Sequence, residues 1–137
     1  MSRHEVMDVF GPGDHGSTFG GNPLAAAVGL RALELLFEEN LIERSQKLGA
    51  HLKAELLKLK TPCIQEIRGR GLFVGLELNP NYAKGRDICL KLLAGGLLTY
   101  ETHETVIRLA PPLVITEEQL NEAIEVIKDV LMRKSAS

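Results

Sequence analysis

Three short stretches carry residues whose types and spacing suit chemistry. The first is Gly16-Ser17-Thr18-Phe19-Gly20-Gly21-Asn22-Pro23. A glycine-rich turn leaves backbone N–H groups free, and Ser17 and Thr18 add two hydroxyl donors. A helix opening at Asn22-Pro23 presents its positive dipole end to the same turn. These are the parts of a phosphate cradle. The stretch is not a P-loop, because no Lys-Ser/Thr follows its last glycine. It is not a dinucleotide fingerprint either, because no GxGxxG follows a buried strand. Glycine-rich entries to helices are structural more often than they are binding sites, so both readings stand on the residues alone.

The second stretch is Ile107-Arg108-Leu109-Ala110-Pro111-Pro112-Leu113. An arginine on a short apolar strand beside a rigid double proline is fixed in direction, and a guanidinium held that way suits bidentate carboxylate binding. The competing reading is an arginine whose stem packs on the sheet and whose head pairs with a surface acid. The third is Arg68-Gly69-Arg70-Gly71, where two arginines between glycines suit an anion but more often mark a solvated strand junction. Thr102-His103-Glu104 has acid–base residue types without a nearby nucleophile and reads as a loop before a strand.

Composition narrows the class. The 137 residues are 45% hydrophobic and 25% charged, with a net charge of -2, an ordinary globular mixture for one core-forming domain. Without a basic run, neither nucleic acid nor an anionic membrane surface is expected as a partner. Cys63 and Cys89 form no CxxC and read as buried, reduced thiols. His4, His15, His51 and His103 make no metal-binding pattern. No apolar run approaches the ~20 residues of a membrane span, and the N-terminus lacks a signal h-region. A cytoplasmic protein is expected.

The elements that must position these residues follow from periodicity. Residues 1–21, rich in glycine, read as loop. Asn22 caps a helix with Pro23 at its first position and Ala26, Leu30, Leu33 and Phe37 on one face. A second helix is expected from Asn40, with Glu43 as capping-box partner and Leu41, Leu48, Leu52, Leu56 and Leu59 as its face. Extended runs at 63–68 and 72–78 flank Gly69-Arg70-Gly71 as a hairpin or bent strand, the second alternating Leu72, Val74, Leu76 and Leu78 with Phe73, Gly75 and Glu77. A helix over 86–94 ends at Gly95-Gly96, and strands are expected at 97–100 and 106–109. The last helix has Thr116 as N-cap, Gln119 at N3, a stripe of Leu120, Ile124, Ile127 and Leu131, and Arg133-Lys134 at its end. Helices and strands come in runs, which favours an α+β domain with helices packed on a small, mostly antiparallel sheet.

Together Gly13–Leu24, Arg68–Glu77 and Arg108–Leu113 resemble the class III, fold type I aminotransferases that use pyridoxal 5'-phosphate (PLP), and the likeness covers essentially the whole chain. Within that class, Glu101-Thr102-His103-Glu104-Thr105-Val106-Ile107-Arg108-Leu109-Ala110-Pro111-Pro112-Leu113 and Glu43-Arg44-Ser45 are most similar to the ornithine aminotransferases. The resemblance implies a PLP enzyme transferring the δ-amino group of L-ornithine to 2-oxoglutarate as a homodimer. It implies that Ser17 and Thr18, Thr18 above all, reach the PLP phosphate of the neighbouring subunit. Arg108 would lie near the substrate pocket, handling a carboxylate or pairing with a pocket glutamate. Residues 1–21 would be the tail of the large PLP-binding domain, and 22–137 the small C-terminal domain.

The same resemblance places the lysine that holds PLP covalently a few tens of residues upstream of the His-Gly-Ser-Thr loop. None of Lys47, Lys53, Lys58, Lys60, Lys84, Lys91, Lys128 or Lys134 occupies that position. The chain by itself is therefore expected not to transaminate. The rival expectations are a class III member acting on acetylornithine or 4-aminobutyrate, and a non-catalytic stand-alone domain.

Overall fold

A computed structural model describes residues 3–132. The chain divides into two compact units, Met1–Glu38 and Glu39–Ser137.

In the first unit, a single helical turn α1 (His4–Met7) precedes a series of turns and the helix α2 (Pro23–Glu38). Asn22 caps α2 as its sequence suggests: Oδ1 accepts the Ala25 N–H at 2.8 Å while Nδ2 donates to the Phe19 carbonyl. The face bearing Leu30, Leu33 and Phe37 lies exposed, and no residue of α2 is buried. Among its described residues the unit has no second long element against which that stripe could pack.

The second unit holds α3 (Leu41–Leu57), β1 (Ile64–Arg70), β2 (Phe73–Leu78), α4 (Gly85–Ala94), β3 (Tyr100–Thr102), β4 (Val106–Leu109) and α5 (Glu117–Met132). The four strands form one antiparallel sheet in the order β1-β2-β4-β3. With helices packed on it, this is the α+β arrangement the run pattern favours. Alternation along β2 decides which face is covered: Val74, Leu76 and Leu78 are fully buried, while Phe73 is exposed. Across the strand pair, Leu76 sits opposite Ile107 and Val74 opposite Leu109, so both strands turn the same apolar rows inward. Leu48, Leu52 and Leu56 of α3, Ile88 and Leu92 of α4, and Leu120, Ile124, Ile127 and Leu131 of α5 complete the core.

The hairpin at Gly69-Arg70-Gly71 closes because α3 lies directly on it. Ser45 Oγ accepts the Leu72 N–H at 3.1 Å, and Lys53 Nζ donates to the Gly69 carbonyl at 3.1 Å. Gly49, between them on the same helix face, leaves the space that the Gly71 carbonyl fills. Gly71 itself has φ +53, a left-handed value that costs glycine nothing.

Several expected local features differ. Within residues 1–21, expected as loop, His4–Met7 form the helical turn α1. Asn40 does not form a capping box with Glu43: it adopts φ 49 and ψ 39, and its side chain caps nothing. An N-cap needs extended backbone, whereas Asn40 sits in the left-handed region, which asparagine tolerates. The strand expected at 97–100 starts at Tyr100 instead. Gly96, at φ +92, turns the chain so that the Leu97 N–H bonds back to the Leu92 carbonyl, finishing α4 before pairing begins. The Thr116–Gln119 capping box of α5 forms in both directions, at 3.1 and 3.0 Å. Arg133-Lys134 lie outside the described residues.

One ion-pair cluster ties α3 to α5. The Glu55 carboxylate accepts from Lys58 and, at 3.2 Å, from Lys128, which also reaches Glu125 at 2.7 Å. The hydrogen bond from Lys58, then that from Lys128, holds Glu55 below its ordinary pKa of 4.5. Lys128 is raised above its ordinary 10.5 by Glu125 and then Glu55. A depressed carboxylate contributes stability above its unfolded-state pKa and loses it as pH falls through the folded-state value. A raised lysine contributes below its unfolded-state pKa and loses it as pH rises through the folded-state value. Glu55→Gln is therefore expected to lower Tm at neutral pH, and the gap to the parent should close as pH drops below 4.5. Melting curves from pH 3 to 8 check this, and a gap independent of pH would assign the loss to packing.

Candidate functional site

The phosphate-cradle candidate lies in the first unit. Gly20 N–H bonds back to the Ser17 carbonyl at 3.4 Å, closing a turn around Thr18 and Phe19. A Cβ at Gly20 would come within 3.1 Å of the Ser17 Cβ, so the turn is drawn tighter than most side chains allow. Ser17 and Thr18 are exposed, and among the described residues neither hydroxyl has a hydrogen-bond partner. Two free hydroxyl donors beside a capped helix N-terminus fit the oxygens of a phosphate.

Arg108 belongs to the second unit, on the sheet face opposite the helices. Strand register sets a row across all four strands: Arg68 opposite Gly75, Gly75 opposite Arg108, and Arg108 opposite Tyr100. Gly75 leaves a gap between the two arginines where any side chain would stand. A Cβ there would make only ordinary contacts with its nearest neighbours, the Val106 side chain at 3.5 Å and the stem and carbonyl oxygen of Arg68 at 3.8 Å. A cavity of about 310 Å³ opens there, with Arg68, Gly75, Thr102, Val106 and Arg108 in its wall.

The two arginines are in different electrostatic states. Arg68 bonds to Glu77 and, at 2.9 Å, to Glu66, and the Glu77 hydrogen bond raises its pKa. Arg108 has no carboxylate partner among the described residues. Its guanidinium carbon lies 5.8 Å from the centre of the Tyr100 ring, a cation–π arrangement that orients it and leaves its N–H fork free. Of the two sequence readings of Arg108, pairing with a surface acid does not occur among the described residues of this unit. The sheet brings Arg68 and Arg108 together, while Ser17 and Thr18 belong to the other unit.

Tyr100, Gly75 and Glu77 were not singled out from the sequence as site residues. The period-two alternation puts Gly75 and Glu77 on the open face, but the register that sets them against Arg108 and Arg68 depends on strand pairing. Tyr100 ends the strand expected at 97–100 and, without that register, has no partner. Of Thr102-His103-Glu104, Thr102 ends β3 and only the other two lie in the turn: His103 and Glu104 have φ of 51 and 63, and the Thr105 N–H bonds to the His103 carbonyl. The thiols are poor nucleophiles, because burial pushes the pKa of both Cys63 and Cys89 up.

The profile of one family, Aminotransferase class-III, matches residues 1–131. The chain belongs to that family. Among its relatives, the ornithine aminotransferase of Staphylococcus epidermidis is 54% identical over 130 residues, covering 95% of this chain and 32% of the relative. That of an Exiguobacterium species is 57% identical over 127 residues, covering 93% and 31%. An ornithine aminotransferase structure from Toxoplasma gondii, described as having partial occupancy of PLP at its active site, superposes with a TM-score of 0.84. It is 44% identical and covers 98% of this chain and 32% of that one. An acetylornithine aminotransferase from Elizabethkingia anophelis gives 0.81 at 45% identity, covering 96% and 35%. This class-III chain thus spans about a third of the length of its relatives. Among the described residues, no helix is long and apolar enough to cross a membrane.

Proposed function

We propose that this chain supplies the C-terminal part of an ornithine aminotransferase, acting in a homodimer that uses PLP to move the δ-amino group of L-ornithine to 2-oxoglutarate. The observation that carries the reading is the contrast between the arginines. Arg68 is already neutralised by two glutamates, whereas Arg108 is aimed by Tyr100 and free to take a carboxylate. Ornithine, 2-oxoglutarate and both products carry carboxylates, so a site of this kind is needed in each half-reaction. The 54% and 57% identities to ornithine aminotransferases support that donor over acetylornithine. The fold does not discriminate between them, since both enzymes superpose well.

In this reading the hydroxyls of Thr18 and Ser17 donate to the PLP phosphate, with residues 1–21 completing the large domain and residues 22–137 forming the small one. When bound, PLP supplies the electron sink for breaking the C–H bond next to the reacting nitrogen. Arg108 binds and orients a substrate carboxylate through its two-pronged fork, which fixes the reacting carbon relative to the cofactor. Tyr100 holds the guanidinium in line, and Gly75 keeps the space in front of it open.

In the complete PLP-loaded enzyme, Arg108→Gln is expected to raise KM for the substrate carboxylate by about ten- to a hundred-fold, the worth of a charge-assisted bidentate bond. Arg68→Gln removes a charge that is already paired and is expected to change KM by less than about three-fold. Steady-state kinetics on both variants decides; equal effects would remove Arg108 from the substrate site. Thr18→Val should shorten retention of PLP during dialysis without altering the melting curve of the apo form.

A further inference from the structure

A second cavity, in the helical half of the second unit, is used by none of the chemistry above. It has a volume of about 520 Å³ and lies between the Lys60–Cys63 turn, the Tyr82–Lys84 turn, the start of α4 and the end of α5. We propose that it binds a small organic anion carrying at least two negative charges.

The charge pattern is the first argument. Among the described residues, Lys60, Lys84 and Lys91 line the cavity with Asp87 as the only acid. Among the described residues none of the three lysines has an ion-pair partner, although the same unit pairs Lys58 and Lys128 with glutamates. Three lysines on the wall of one concavity focus a positive potential that a multiply charged anion relieves. Lys91 acts on the cavity directly: it opposes the rise that burial imposes on the Cys63 thiol.

Shape and stiffness are the second. The inner wall is apolar, with Ile88 and Leu131 buried in the core behind it. That wall suits a hydrocarbon or aromatic body better than a bare inorganic ion. The rim is tied down: the Asn79 N–H bonds to the Cys63 carbonyl at 2.8 Å, and the Tyr82 and Ala83 N–H groups bond to the Asn79 carbonyl. The Cys63 N–H also reaches Thr61 Oγ1 at 3.3 Å. The two turns carrying Lys60 and Lys84 are thereby braced against each other before any ligand arrives, which lowers the ordering cost of binding.

The probe is phenyl phosphate, titrated into the full polypeptide at constant ionic strength with amide chemical shifts as the readout. Saturable shifts are expected at residues 60–63, 82–91 and 130–132. Lys84→Gln/Lys91→Gln should weaken binding about ten-fold or more by removing two of the three facing charges. Lys84→Arg/Lys91→Arg should restore it, and Lys47→Gln, an exposed lysine elsewhere on α3, should leave it unchanged. All three substituted lysines are exposed, so unchanged melting temperatures are expected throughout. Non-saturating shifts, shifts spread over unrelated lysines, or equal affinity in the Lys84→Gln/Lys91→Gln variant would overturn the proposal. Inorganic phosphate is the second arm: weaker binding than phenyl phosphate supports the apolar wall as part of the site, and equal binding removes the organic body from the proposal.

Discussion

Gly49→Ala is expected to destabilise the second unit by at least about 2 kcal/mol, although alanine is the better helix former by roughly 1 kcal/mol. In an unconstrained helix the substitution would stabilise. Here a Cβ would fall inside the van der Waals envelope of the Gly71 carbonyl carbon and oxygen, and 2.8 Å from the Gly71 Cα. The obstacle is backbone, so no rotamer change relieves it. Either α3 lifts from the sheet, uncovering Leu48, Leu52 and Leu56, or the hairpin moves. Hairpin movement would break the bonds from Leu72 to Ser45 and from Lys53 to Gly69. Gly29→Ala in α2 is the matched control, because nothing lies within 4 Å of a Cβ there, and it should raise helix stability by up to about 1 kcal/mol. Urea denaturation of both variants gives the sign directly. A neutral or stabilised Gly49→Ala would show that the helix–hairpin contact is loose.

This helix–hairpin contact also marks how far the sequence can be read. The hydrophobic rows of α3, β2 and α5 follow from periodicity, because each row has one surface to cover and burial enforces the pattern. Leu41, Leu48, Leu52 and Leu56, then Leu120, Ile124, Ile127 and Leu131, are buried as their spacing suggests. Gly49 was not legible. A mid-helix glycine is a propensity defect in sequence terms, and its reason is the approach of a turn some twenty residues further along. Asn40 failed in the other direction: its side chain is a good cap, but φ 49 puts it where no cap can form. Of the site, residue types were readable and partners were not. Arg68 and Arg108 have the same chemistry in the sequence; only strand register gives one two glutamates and the other a tyrosine ring. The α2 stripe marks a further limit, since periodicity reports that a face is apolar without saying what covers it.

Ile107→Ala is expected to cost about 3 kcal/mol, within the range for emptying a fully enclosed aliphatic site. Ile107 has no exposed surface and stands between Glu101 on β3 and Leu76, equally enclosed, on β2. Its strand is only four residues long, so loss of this anchor cannot be shared along a longer ladder. Ile107→Val removes one methylene and should cost about 1 kcal/mol, which separates cavity formation from general intolerance. The consequence reaches the open face of the sheet. The inward grip of Ile107 and Leu109 keeps Arg108 between them pointing outward, opposite Gly75 and Tyr100. Weakening that grip should loosen the guanidinium from the ring as well as lower the denaturation midpoint. Urea curves with an unchanged slope give the first effect. Loss of the ring-current shift that Tyr100 imposes on the Arg108 side-chain protons gives the second. A cost below about 1 kcal/mol for Ile107→Ala would mean that β4 is held by its backbone ladder alone and that Arg108 is oriented by Tyr100 without help from the core.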